Sequence, residues 1–339
     1  MTNLELIAKL AGVSRGTVDR VLHNRGQVRP ETEEKVRAVM QELDFQPNAL
    51  GRAFYLSRKK NKIGILVAFR EPDFQKQVMQ GVNEGVVYAQ QHGVEVLIEY
   101  AHPDDTEGYL ASFRRLLDGG VRGLAIRGVL SDEIDRCLRE ISREQMQIVV
   151  YNEDIRDKGL RDCFVGQDSC RAGACAACLM EQIAGPGGEM LLVGVDARHV
   201  SSEERLNGFA EYFRKRGTDV SHVIYGKGSH ELTYRQTRDM IAAREHISGI
   251  FVSGAGLSGA AHAVDDAGLT GRIKVVGFDI TESNMSFLKK GTVQFLIDQG
   301  PYMQGYRSVQ LLTEAIFRDT PVETSFVDTG IQIKNPYNC

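Results

Sequence analysis

From residue 62 onward the chain alternates strand-like apolar runs with helical segments, and that alternation constrains its fold more than any other feature. The runs are KIGILVAF, VEVLIEYA, GLAIRGV, QIVVYN, DCFVGQD, EMLLVGV, VSHVIYG, GIFVSG, IKVVGFD and VQFLIDQ. Near-continuous apolar strands spaced by helices belong to parallel sheets, because crossover helices cover both faces. About ten such strands in roughly 275 residues predict an α/β core of two Rossmann-like lobes. Ligands of open parallel sheets bind outside the carboxyl ends of the strands. The polar residues that close these runs are therefore the candidates for a site.

A chain of 339 residues is too long for one small core. No run of about 18 apolar residues exists, so no membrane-spanning helix is expected. The opening MTNLELIAKLAGVSRG has neither a basic start nor a solid apolar stretch, so no secretory signal is read and the cytoplasm is expected. Six cysteines in such a length suit a reducing compartment. Cys175 and Cys178 form a C-x-x-C beside Cys170, but no second pair or local histidine completes a metal site. Small buried thiols, no metal and no cofactor are the expectation.

Net charge is −4, yet it is unevenly spread. Residues 1–62 hold 12 Lys/Arg against 7 Asp/Glu, whereas the remainder holds 29 against 38. A basic head on an acidic body points to nucleic acid at one end only. LELIAKLAGVSRGTVDRVLHNRG reads as two short helices around one turn. Leu4, Ile7, Ala8 and Ala11 share a face of the first, Gly12 stops it, and Ser14 caps a second whose apolar face is Val18, Val21 and Leu22. That is a helix-turn-helix. A third helix begins at Pro30, with Glu31, Glu33 and Glu34 in its first turn and Val36, Val39, Met40 and Leu43 inward. Arg15, Gly16, Thr17 and Arg20 would face a major groove, where Arg forks to guanine and Thr meets phosphate or a thymine methyl.

The stretch LIAKLAGVSRGTVDRVLHNRGQVRPETEEKVRAVMQELDFQPNALGRAF resembles, over about fifty residues, the DNA-binding head of the lactose-repressor (LacI) family. The resemblance implies a DNA-contacting set of Ser14, Arg15, Gly16, Thr17, Arg20 and Asn24. It also implies a hinge helix over residues 48–55, ordered on operator DNA, with Asn48 and Arg52 as contacts and Phe54 as the minor-groove wedge. Asp19 stands where the family usually has Ser, and Phe54 where it has Leu. The resemblance extends to a core similar to periplasmic sugar-binding proteins of type I. The domains are then a head at 1–46, a hinge and linker at 47–61 and a core at 62–339. Lobe one is expected at about 62–165 and 296–325, lobe two at about 166–295 and 326–339.

One motif points elsewhere. Gly254, Gly256 and Gly259 spell G-x-G-x-x-G after GIFVS, and Asp279 ends the next run. That is the dinucleotide fingerprint, with glycines for pyrophosphate and the acid for ribose. It keeps open the alternative of a nicotinamide-dinucleotide enzyme, or a dinucleotide-sensing regulator. Against it, the motif lies deep in the strand series and the upstream residues read as a DNA-binding head. By resemblance, Arg205, Asp279 and Gln299 match effector-binding positions of the family, and Asn152 stands where related binders often have Asp. Phe74 offers a stacking face, with Arg70 and Glu71 nearby, and Glu153 adds a further charge. The expectation is a non-enzymatic repressor: a homodimer on a pseudo-palindromic operator, without a membrane partner, controlled by a carbohydrate or polyol bound between the lobes.

Overall fold

The computed structural model describes residues 3–22, 28–42, 61–141, 146–185, 188–197, 199–217, 220 and 222–339. Asn24, Asn48, Arg52 and Phe54, with the expected hinge around them, lie outside the described residues, as do Leu43 and the side chains of Leu4 and Leu22. The chain divides after Lys59 into two compact units.

In the first unit, α1 (Asn3–Ala11), α2 (Arg15–Leu22) and α3 (Pro30–Glu42) enclose a small core of Ile7, Ala8, Val18, Val21 and Val36. Gly12 ends α1 with φ 66°, a left-handed conformation that glycine adopts without cost. Ser14 Oγ accepts from Thr17 N at 3.1 Å and so caps α2.

The second unit holds two six-stranded sheets. Sheet one runs β11 (Phe326–Asp328), β5 (Cys163–Gly166), β4 (Gln147–Tyr151), β3 (Gly123–Arg127), β1 (Lys62–Val67), β2 (Glu95–Tyr100). Sheet two runs β12 (Gln332–Lys334), β10 (Phe295–Asp298), β9 (Lys274–Phe278), β8 (Ile247–Val252), β6 (Glu189–Gly194), β7 (His222–Tyr225). All pairings are parallel except β10 with β12. β11 and β12 had no apolar run to announce them. In each sheet the order reverses beside its first strand, which puts a switch point between β1 and β3 and another between β6 and β8.

The three crossings between lobes fall a few residues later than the sequence suggested. β10 stays paired to β9 through Ile297, so residues 296–298 belong to lobe two. β11 pairs with β5, so residues 326–328 belong to lobe one. Gln167, in the first crossing, ties the other two by donating Nε2 to Gly330 O at 2.9 Å and to Asp298 O at 3.3 Å.

In both lobes helices are zipped tightly together through glycine. In lobe one, α4 (Pro72–Gln91) meets α12 (Pro301–Arg318), and a Cβ on Gly81 would lie 1.9 Å from Tyr302 O. In lobe two, α7 (Ser169–Ala184) meets α8 (Val200–Arg214), and a Cβ on Gly173 would lie 2.0 Å from Arg205 O. Backbones this close require glycine, and the second contact fixes the position of Arg205.

Candidate functional site

The carboxyl ends of both sheets face one interlobe cleft. Arg70, Phe74, Asn152, Arg205, Asp279 and Gln299 all line it. Phe74 also belongs to the lobe-one core and packs on Phe69, ring centroids 5.2 Å apart, so it serves as core and cleft wall together.

On the lobe-two wall, Arg205 is buried and gives one terminal nitrogen to Ser253 O at 2.9 Å and the other to Gln299 Oε1 at 3.1 Å. Its guanidinium lies 3.9 Å from the Phe278 ring centroid. Nε is buried and has no partner among the described residues. Asp279 Oδ1 accepts from Gln299 Nε2 at 2.6 Å. Burial pushes the Asp279 carboxyl above its ordinary value, although the Arg205 charge and the Gln299 bond pull the other way. Burial likewise lowers Arg205, which Asp279 opposes. Asp279 has φ 74° and its carbonyl is held by Asn284 Nδ2 at 3.0 Å. Asp and Asn tolerate this conformation best among non-glycine residues.

On the lobe-one wall, Asn152 at φ 64° accepts from Arg127 Nε at 3.1 Å and donates to Gln299 Oε1 and Gln304 Oε1 at 3.3 and 3.0 Å. Beside it, buried Glu153 reaches across to lobe two. It accepts from Ser201 N at 2.6 Å and Ser201 Oγ at 2.9 Å, and lies 3.0 Å from His199 Nδ1 and 3.7 Å from Arg127. His199 is the N-cap residue of α8 but makes no side-chain cap, so Glu153 supplies that helix's capping carboxylate from the opposite lobe. Burial alone would raise Glu153; His199, Arg127 and the Ser201 N–H outweigh it and bring the carboxyl down to about 2. Two more bridges join the lobes, Gln77 Nε2 to Ile280 O at 2.8 Å and Glu282 N to Asp73 Oδ2 at 3.0 Å.

Arg127, His199 and Ser201 escaped the sequence reading. The signal for Arg127 was present, since it closes the apolar run GLAIR at a strand's carboxyl end. His199 and Ser201 become visible only once α8 is known to point its N-terminus into the cleft.

The glycine fingerprint has a packing role. A Cβ on Gly256 would meet Thr233 Oγ1 at 2.6 Å, and one on Gly259 would meet His230 O at 2.3 Å. Both glycines thus seat α10 (Leu257–Asp266) against α9 (His230–Ala243). With Gly256 and Gly259 taken up by helix packing, the dinucleotide alternative is not favoured. In the head, Ser14, Arg15, Gly16 and Arg20 are exposed on α2 and the turn before it, and Thr17 is half-buried.

The geometry defines a class first: a two-lobed binding core with an interlobe cleft, following a helix-turn-helix. Residues 63–318 match the family model described as periplasmic binding protein domain, and residues 3–48 match that of bacterial regulatory proteins, lacI family. The chain belongs to the lacI family of bacterial regulatory proteins and is a DNA-binding transcriptional regulator. It is 25% identical to the ribose operon repressor of Halalkalibacterium halodurans, over 96% of this chain and 93% of that one. It is 25% identical to the lactose operon repressor of Escherichia coli, over 91% and 83%. Among solved structures, a transporter solute-binding protein from Burkholderia graminis in complex with D-arabinose superposes with a TM-score of 0.73 at 20% identity, over 82% of this chain and 96% of that one. That likeness shows the fold of the core.

Proposed function

We propose that the regulator senses a small polyhydroxylated effector, a sugar or polyol, held in the cleft by Arg205, Asp279, Gln299 and Asn152 against the Phe74 wall. The observation that carries this is the Arg205–Gln299–Asp279 network lining the cleft, in which the buried Arg205 Nε has no partner among the described residues. A hydroxyl both donates and accepts, so adjacent hydroxyls suit a carboxylate, amides and a guanidinium fork set side by side. The names of the ribose and lactose repressors and the arabinose in the solved relative support the same ligand class. The protein acts in the cytoplasm as a homodimer, a repressor on a two-fold operator, each head presenting Arg15, Thr17 and Arg20 to bases with Ser14 and Gly16 beside the backbone.

The effector acts by binding the bridged arrangement of the lobes more tightly than the parted one. Moving a 1:99 balance to 99:1 takes about 5.5 kcal/mol of such preference. A thermal-shift panel of sugars, polyols and nicotinamide dinucleotides tests the reading. A matching ligand at a hundredfold excess over Kd adds about 2.7 kcal/mol. Stabilisation by dinucleotides alone would refute the carbohydrate reading. For the head, Arg20→Ala should weaken operator binding at least tenfold in a mobility-shift assay, on the order of one lost base contact; unchanged binding removes α2 from the base-reading role.

A further inference from the structure

The cleft's cations are already engaged, and one of its carboxylates is not. Arg70 gives both Nε and a terminal nitrogen to Asp104. Arg127 is taken by Asn152, Glu153 and His199. Arg205 spends its terminal nitrogens on Ser253 and Gln299. Glu153 is filled by Ser201 and His199. Glu71 differs. It stands at the N-terminus of α4, half-buried, lines the cleft, and among the described residues nothing donates to its carboxylate.

Burial, then the negative charges of Asp279 and Asp73, push Glu71 above the usual carboxylate range. Asp73 is itself turned to the Glu282 N–H of lobe two. Glu71 from lobe one and Asp279 from lobe two therefore line the same cleft, and the Arg205 charge opposes only the second. An unpaired carboxylate in a half-desolvated cleft is costly until a cation arrives.

We infer that the effector carries a protonated amine on its sugar-like body, as an amino sugar or amino polyol does, seated between Glu71 and Asp279. The inference rests on the cleft being the effector site. A neutral hydroxyl donates one proton and leaves the negative charge standing, whereas an ammonium donates three and cancels it.

The test is isothermal titration of the full-length protein at pH 7 with glucosamine, galactosamine and mannosamine, each beside its neutral parent and N-acetyl form, on wild type and Glu71→Gln. One amine should bind on the order of tenfold tighter than its parent. In Glu71→Gln the ratio of amine to parent affinity should fall to about one. The melting temperature of unliganded Glu71→Gln should fall by no more than the small effect of removing a charge from the start of α4, because no pairing is lost; a drop as large as that of a broken buried ion pair would mean Glu71 has a partner and would overturn the inference. Equal or tighter binding of neutral sugars, or an amine preference that survives Glu71→Gln, also overturns it and leaves the carbohydrate reading intact. Binding by no member of the panel overturns both.

Discussion

Each lobe sets one buried arginine, one carboxylate and one aromatic ring at the carboxyl ends of its strands, yet the two carboxylates are driven in opposite directions. In lobe one, Arg127 lies 5.6 Å from the Phe69 centroid, and Glu153 collects two bonds from Ser201 and an ion pair with His199. In lobe two, Arg205 lies against Phe278, and Asp279 collects one side-chain bond, from Gln299. Burial penalises both acids. Glu153 has enough partners to come down to about 2, whereas Asp279 stays raised. The saturated acid bridges the lobes; the under-satisfied one is the carboxylate that the proposed effector would meet. The same residue types serve binding or structure according to how many donors the protein itself provides.

Removing the cations separates the two roles most strongly. Arg205→Ala should cost about 3–5 kcal/mol of core stability by urea denaturation, by leaving Asp279 buried without its cation. It should also abolish effector response while operator binding persists. Arg127→Ala should cost stability without abolishing ligand binding, and identical ligand effects from the two changes would erase the distinction.

Glu153→Gln comes next. Glu153 is more acidic folded than unfolded, so its ionised form stabilises the fold above its ordinary value of 4.5, and this is lost as pH falls toward 2. The substitution should cost about 3 kcal/mol at pH 7 and flatten the acid limb of the stability curve. Asp279 has the opposite sign: its contribution is largest when protonated and declines as pH rises through its raised value.

The zipped helices give a smaller contrast. Gly173→Ala and Gly81→Ala should each cost about 1–3 kcal/mol through overpacking. Only the first drives a Cβ into the Arg205 backbone, so only it should weaken effector affinity in calorimetry. The smallest effect is expected of caps. Thr281→Ala and Ser131→Ala should each lower stability by about 1 kcal/mol, by losing the bonds to Asn284 N and Ile134 N. Thr281 holds the turn after Asp279, so its loss alone should also reduce ligand affinity, by about twofold.

Much of this was readable from the sequence because the alternation of runs and helices places polar residues at strand ends without any knowledge of contacts. Arg205, Asp279, Gln299 and Asn152 were found that way, with the family resemblance, and the fold brings them to one cleft. Pairing was not readable. Whether a carboxylate is filled depends on residues far along the chain, as Glu153 depends on Ser201 and His199. The glycine fingerprint stayed ambiguous for a related reason: small residues allow close approach, but the sequence does not say whether phosphate or a neighbouring helix approaches. β11 and β12, each of 3 residues, are too short to carry a periodicity at all.

The cap that lobe one lends to α8 has a consequence in time. A ligand enclosed in the cleft leaves only after the lobes part, and parting them strips the Glu153 carboxylate from the helix N-terminus while both ends must rehydrate. That step is common to every ligand the cleft accepts, so it sets a floor under residence time that the ligand's own contacts then lengthen. Shortening the bridge, by Glu153→Asp, should therefore speed release of tight and weak effectors by the same factor, and the regulator's memory of a vanished signal is written in lobe one.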